Sequence, residues 1–255
     1  MEKFVKVIPC LDIKDGRVVK GIHFVNLRDA ADPVAAAQAY SEAGADEIAF
    51  LDITATVEKR RTRFDTVKKV AQAINIPLIL GGGLASLEDI EEAFASGASY
   101  VSLSSAAFRK PHLVSQAAAK FGSHRVIIAI DADVNDTLPS GREVYVDGGR
   151  TSTGKDAVEF AREMKEAGAG QILPTSKTAD GTKAGYDLVL TRLIAEATRL
   201  PVIASGGAGQ LTHFYQAVAE GKASAVLAAS VFHFGILSIR QVKEFLRARN
   251  IPVKL

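Results

Sequence analysis

Cysteine occurs once in this chain, at Cys10, so no internal disulfide can form and a reducing, cytoplasmic setting is the natural expectation. Cys10 lies in an apolar run and reads as inert core packing. There is no histidine cluster and no HExxH pattern, so no metal or other cofactor is implied. Neither sign of charge dominates: 31 Lys and Arg are interspersed with 29 Asp and Glu, for a net charge of +2. That balance gives no electrostatic case for nucleic acid or an acidic membrane surface, while small phosphorylated ligands stay open. No apolar run is long enough to cross a bilayer, and charges at Glu2, Lys3 and Lys6 argue against a signal peptide. No low-complexity linker divides the 255 residues, of which 47% are hydrophobic, enough for one large domain with a full core.

What the chain does have is organised around Leu200 to Phe232. An apolar strand, Leu200-Pro201-Val202-Ile203-Ala204, runs into Ser205-Gly206-Gly207-Ala208-Gly209, then a helix, then a strand ending Leu227-Ala228-Ala229-Ser230. Glycines just after a strand let the backbone approach an anion, and amide groups at the start of a helix direct positive charge at it. Glycine punctuation alone also makes plain turns. Repetition favours the phosphate cradle: Ile76-Pro77-Leu78-Ile79-Leu80-Gly81-Gly82-Gly83 matches Leu200 to Gly207 at an offset of 124. Beyond the helices, Ala98 to Val101 matches Ala223 to Val226 at an offset of 125, so Ser105 pairs with Ser230. The chain reads as two copies of one unit, with half-barrels of about residues 1–123 and 124–255.

Short β-rich runs near 5–10, 47–52, 76–81, 99–103, 126–131, 170–175, 200–205 and 224–229 alternate with helical patterns. Strands rich in Val, Ile and Leu, each followed by a helix, imply parallel pairing and burial on both faces. Closure at eight makes a (β/α)8 TIM barrel. An open doubly wound sheet is the rival, disfavoured by the repeat of four βα units and the absence of a single dinucleotide fingerprint. Ser86 reads as a helix N-cap with acids in the first turn. Two longer insertions, residues 13–32 and 132–154, follow equivalent strands, and Glu143-Val144-Tyr145-Val146 in the second predicts a hairpin.

In such a barrel the active site is built at the carboxyl ends of the strands. Asp12 ends strand one and Asp131 ends strand five, on opposite walls of the mouth. Each follows an apolar run, whose partly dry environment raises a carboxylate's pKa toward general-acid use. An aspartate in this position also caps helices and fixes turns; its symmetric twin and the two cradles favour catalysis. The cradles imply a ligand with a phosphate at each end. Asp52, Thr175, Ser176 and Asp180 are further strand-end polar groups, and Lys20, in the long first loop, reads either as a lid lysine or as a solvated loop residue.

The run Ile8-Pro9-Cys10-Leu11-Asp12-Ile13-Lys14-Asp15-Gly16-Arg17-Val18-Val19-Lys20-Gly21 closely resembles the cyclase subunits of imidazole glycerol phosphate synthase, the HisF family. So do Phe50-Leu51-Asp52-Ile53-Thr54-Ala55, Gly81-Gly82-Gly83, Ala129-Ile130-Asp131-Ala132, Asp180-Gly181-Thr182, Gly185-Tyr186-Asp187 and Ala204-Ser205-Gly206-Gly207-Ala208-Gly209. The resemblance implies a histidine-pathway enzyme that takes ammonia from a separate glutaminase subunit of HisH type. Its substrate would be the bisphosphate PRFAR and its products imidazole glycerol phosphate and AICAR. The family's acid and base fall on Asp12 and Asp131, and its lid lysine on Lys20. Its phosphate sites fall on Gly83 with Ser105 and on Gly207 with Ser230. The implied substrate-binding set is completed by Asp52, Ser104, Thr175, Asp180, Gly181, Ser205, Gly206 and Ala229.

The chain departs from the family pattern in places. Ser104 stands where Asn is usual, and Thr178-Ala179-Asp180-Gly181 replaces Asp-Arg-Asp-Gly. At the other end of the barrel the family closes its ammonia entrance with four charged residues. Lys6 and Glu47 fit that ring, but Tyr100 and Gln171 replace a Lys and a Glu, and Ser99 replaces the adjoining Asp. Three rivals remain open: the sibling HisA isomerase, a phosphate-ligand-binding barrel without turnover, and an aldolase-type enzyme using Lys177 as a Schiff-base nucleophile.

Overall fold

The computed structural model describes residues 4–22, 25–55, 58 and 61–255, with the side chains of residues 20–31 outside that description. Its strands are β1 (Lys6–Lys14), β2 (Arg17–Ile22), β3 (Val25–Ala31), β4 (Ile48–Asp52), β5 (Leu78–Gly81), β6 (Tyr100–Leu103), β7 (Val126–Val134), β8 (Arg142–Val146), β9 (Thr151–Asp156), β10 (Gln171–Ser176), β11 (Ile203–Ala204) and β12 (Ala225–Ala228). Eight of them, β1, β4, β5, β6, β7, β10, β11 and β12, pair in parallel. Bridges Ile172↔Val202 and Thr175↔Ser205 join β10 to β11 and close the ring. The chain is therefore a (β/α)8 barrel, as the alternation of runs predicts.

Helices cover the outside: α1 (Pro33–Glu42), α2 (Phe64–Ala73), α3 (Leu87–Ala95), α4 (Ser105–Arg109), α5 (Pro111–Phe121), α6 (Ala157–Glu166), α7 (Leu188–Thr198), α8 (Leu211–Ala219), α9 (Ser230–His233) and α10 (Ile239–Arg247). Caps fix several starts. Ser86 Oγ accepts from Asp89 N and Asp187 caps α7, each satisfying an orphan amide of a first turn. The fourth and eighth barrel strands are each followed by a short helix and then a longer one. Hairpins β2–β3 and β8–β9 follow the first and fifth barrel strands, where the two insertions fall.

Strand periodicity sorts the side chains into two cores. Ile8, Cys10, Ala49, Ile79, Ile127, Leu173, Ile203 and Leu227 pack together within the barrel. Their neighbours Val7, Leu11, Phe50, Leu80, Ile128 and Ile172 pack outward against the helices. This alternation places the polar groups. Residues 12, 131, 175 and 205 share the inward parity at the carboxyl ends of their strands, and residues 6, 47 and 171 share it at the amino ends.

Candidate active site

The cavity at the carboxyl end has a volume of about 180 Å³. Asp12, Leu51, Gly81, Ser102, Asp131, Thr175, Ser205 and Ala229 line it, and they are the inward-facing residues that end the barrel strands. Asp52, Gly82, Ser104, Ser105, Asp180, Gly181, Gly206, Gly207 and Ser230 complete most of the wall from the loops that follow. Nearly the whole expected site is thus gathered in one place. Gly83 is the exception: the wall takes Gly81 and Gly82, while Gly83 packs behind them against Ala55 and Thr62. The side chain of Lys20 lies outside the described residues.

Asp131 has the environment a proton-transfer group needs. Burial, and after it the charge of Asp180, push its carboxyl up to about 7, with Lys177 pulling the other way. Asp12 is half-buried and accepts from the thiol of Cys10, with Sγ 3.2 Å from Oδ1. Cys10, read from the sequence as inert packing, therefore touches a candidate catalytic carboxyl. Its carbonyl holds a second contact, at 2.9 Å from His233 Nε2. A carbonyl only accepts, so Nε2 carries the proton and Nδ1 receives the hydroxyl of Tyr40 at 2.6 Å. Burial pushes the Tyr40 hydroxyl up, which keeps it a donor. Helix α1, helix α9 and strand β1 are tied together two residues below Asp12.

Both glycine loops take backbone conformations that L side chains rarely adopt. Gly82 and Gly206 have φ of +87° and +85°, and Gly83 and Gly207 have +73° and +101°. A Cβ on Gly82 would lie 2.1 Å from the Asp52 carbonyl oxygen, and one on Gly207 would lie 2.0 Å from that of Gly185. The chain crosses itself so closely there that only glycine fits. The second loop is pinned by Gly185 N donating to Gly207 O at 2.7 Å and by Gly209 N donating to His213 Nδ1 at 3.1 Å. Ser105, 6% exposed, accepts from Asp147 N at 2.9 Å, which brings the tip of the β8–β9 hairpin onto the start of α4.

Lys177 lies 3.5 Å from Asp133 and 3.9 Å from the centre of the Tyr145 ring, outside the cavity wall. Ion-paired and stacked, it lacks the dry pocket that the Schiff-base alternative requires. Gly185-Tyr186-Asp187 is structural: Tyr186 donates to Leu227 O at 3.0 Å, and Asp187 pairs with Arg142 at 2.7 Å.

At the amino end, Lys6 is ion-paired with Glu47, which is 2% exposed. Burial pushes the Glu47 carboxyl up and Lys6 opposes the shift. Tyr100 lies under the ammonium, its ring centre 5.7 Å from Lys6 Nζ. Gln171 turns instead to the His124 carbonyl at 3.3 Å.

The family model for histidine biosynthesis proteins matches residues 6–238. The HisF subunit of imidazole glycerol phosphate synthase from Prochlorococcus marinus is 53% identical over 249 residues, covering 98% of this chain and 97% of the relative. The HisF subunit from Trichormus variabilis is 52% identical over 251 residues, covering 98% of each. With the barrel, the opposed aspartates and the paired glycine loops in place, the chain belongs to the histidine biosynthesis protein family and, within it, to the HisF subunits of imidazole glycerol phosphate synthase.

Proposed function

We propose that the cavity converts PRFAR and ammonia into imidazole glycerol phosphate, AICAR and water, with Asp12 and Asp131 as the acid–base pair. The activity is that of the imidazole glycerol phosphate synthase cyclase, in histidine biosynthesis. Ammonia attacks the ketose carbonyl, a protonated carboxyl helps the carbonyl oxygen leave as water, and the opposed carboxylate removes a proton as the ring closes and the chain splits. The observation that carries this reading is Asp131: a carboxyl held near pH 7 shares a cavity with a second strand-end carboxyl, between two glycine loops. The loops accept the two phosphates, one beside Gly82, Gly83, Ser104 and Ser105, the other beside Gly181, Gly207, Ala229 and Ser230. Lys20 closes over the substrate, and no cofactor takes part.

The repeated loops, hairpins and helix pairs support a barrel assembled from two half-barrels, about residues 1–123 and 124–255. As a synthase subunit the chain works with a partner subunit. We assign that partner as a glutaminase that delivers ammonia at the end bearing Lys6, Glu47, Tyr100 and Gln171, and the setting as cytoplasmic. Steady-state assays with PRFAR and ammonium salt test the chemistry without the partner. Asp12→Asn and Asp131→Asn are expected to lower kcat by roughly two to four orders of magnitude with KM nearly unchanged. Near-wild-type turnover in either variant would remove it from the mechanism.

A further inference from the structure

The cavity wall carries four carboxyls, those of Asp12, Asp52, Asp131 and Asp180, and among the described residues a single cation, Arg150. A ligand with two phosphates entering such a wall meets repulsion nearly everywhere, and the field is relieved at one point. Arg150 lies just past the tip of the β8–β9 hairpin, and that tip is tied through Asp147 N to Ser105 Oγ at the start of α4, which shares the cavity wall with the first glycine loop. A second arginine stands nearby but is occupied. Arg109 Nη2 reaches both carboxylate oxygens of Asp147, at 2.8 and 2.7 Å, so it neutralises the acid at the tip and holds the hairpin down. Arg150 is exposed, and its contact from Nη1 to the Asp147 carbonyl oxygen is long, 3.4 Å. Its guanidinium is free to turn from that weak acceptor to a stronger one.

Each loop has a wall carboxyl beside it in the chain fold, since Asp52 backs onto Gly82 and Asp180 follows Ala179, which packs on Gly207; among the described wall residues Arg150 is the one guanidinium. We propose that Arg150 is the phosphate-binding cation of the first loop and that it sets the direction in which the bisphosphate lies across two otherwise similar cradles. Arginine suits the role because its planar fork binds a phosphate through two parallel hydrogen bonds, and because it keeps its charge at every working pH. Each half carries a hairpin after its first strand, β2–β3 and β8–β9, but among the described wall residues only the second brings a cation to the cavity. That difference breaks a symmetry that would let the substrate enter in either sense. The assignment rests on the bisphosphate reading given above.

The test uses the intact chain, ammonium salt and PRFAR, with Arg150→Met and Arg150→Lys, and crystals soaked in inorganic phosphate. Arg150→Met is expected to raise KM about tenfold or more, with most of the loss in KM rather than kcat, and to flatten the rise of KM with salt. Arg150→Lys should recover part of the affinity, because it restores charge without the fork. In the soaked crystals the wild type should hold an anion at each loop, and Arg150→Met should lose the one at Ser105 while keeping the one at Ser230. Unchanged KM with both anions retained would overturn the role of Arg150 alone. Wild-type crystals with both loops empty at high phosphate would overturn the bisphosphate reading and this proposal with it. Unaltered thermal unfolding of Arg150→Met would exclude misfolding as the source of the effect.

Discussion

Gly82 and Gly206 hold the same left-handed backbone, φ +87° and +85°, just beyond the ends of β5 and β11, 124 residues apart in the chain. Their neighbours Gly83 and Gly207 are left-handed too. The repeat seen in the sequence is thus a repeat of backbone conformation, and each loop needs its glycines for a local reason.

Those reasons separate one glycine from another. At Gly82 and Gly207 an added Cβ meets a backbone carbonyl oxygen at 2.1 and 2.0 Å, whereas at Gly16 and Gly235, also left-handed, it meets nothing within 4 Å. Gly16→Ala and Gly235→Ala should each cost about 1–2 kcal/mol, the penalty of the left-handed region alone. Gly82→Ala and Gly207→Ala must also push a strand or loop aside and should cost clearly more, with loss of substrate affinity. Denaturation midpoints of the four variants check this; equal losses would show that the crowded loops relax freely.

Asp131 makes a prediction with a definite sign. Its folded pKa, about 7, lies above the usual carboxylate value, so between the two the folded chain holds a proton that the unfolded chain has released. Stability contributed by this group is full at acid pH and falls as pH rises toward 7. Asp131→Asn should therefore stabilise the barrel at pH 8, by an amount of order 3 kcal/mol at most for a side chain the mouth partly wets, and by almost nothing at pH 4. Thermal unfolding at both values measures it. The pH–rate profile, corrected for the free-ammonia fraction, should bend near 7 and lose that limb in the variant. A limb falling toward acid marks Asp131 as the base, and one falling toward alkali marks it as the acid.

The barrel was legible because its signals are local: apolar runs, a glycine after each cradle strand and a capping serine at position 86 all act within a few residues. The aspartates were legible because strand alternation fixes which residues look inward. What could not be read depends on folding. Tyr40 and His233 are separated by 193 positions and meet only when α1 and α9 flank β1. The place of Arg150 is set by the pairing of β8 with β9, whose register shifts between Glu143 and Tyr145, and local sequence does not show that shift. Gly82 lines the cavity beside Gly81 while Gly83 packs against Ala55 and Thr62, a distinction that a run of three glycines does not show.

The Tyr40–His233–Cys10 chain predicts coupled losses. His233→Ala removes two hydrogen bonds and strands the half-buried Tyr40 hydroxyl, so it should cost about 2–3 kcal/mol. Tyr40→Phe should cost about 1 kcal/mol alone and close to nothing on the His233→Ala background, since its partner is already gone. A double-mutant cycle by urea denaturation gives the coupling. Strict additivity would mean that the two side chains do not act together.

At the amino end of the barrel, Lys6 and Glu47 pair with each other, Tyr100 covers the ammonium with its ring, and Gln171 is engaged by a backbone carbonyl of another segment. The proposed entrance therefore has one ion pair where the HisF pattern described above has four charges. Free ammonia reaching the cavity from the open mouth bypasses that end, so ammonia-driven turnover should not depend on it. Under the proposed assignment, nitrogen handed over by a glutaminase partner has to pass it. Tyr100→Lys together with Gln171→Glu should raise the ratio of glutamine-driven to ammonia-driven turnover with a generic HisH-type partner and leave the ammonia-driven rate unchanged. Lys6→Met should act in the opposite direction, because it leaves Glu47 as a buried carboxyl without its cation. That carboxyl takes up a proton more readily, so the destabilisation should grow as pH rises and fade in acid. An unmodified chain that already channels glutamine nitrogen as efficiently as the double variant would show that Tyr100 and Gln171 form a working entrance of their own.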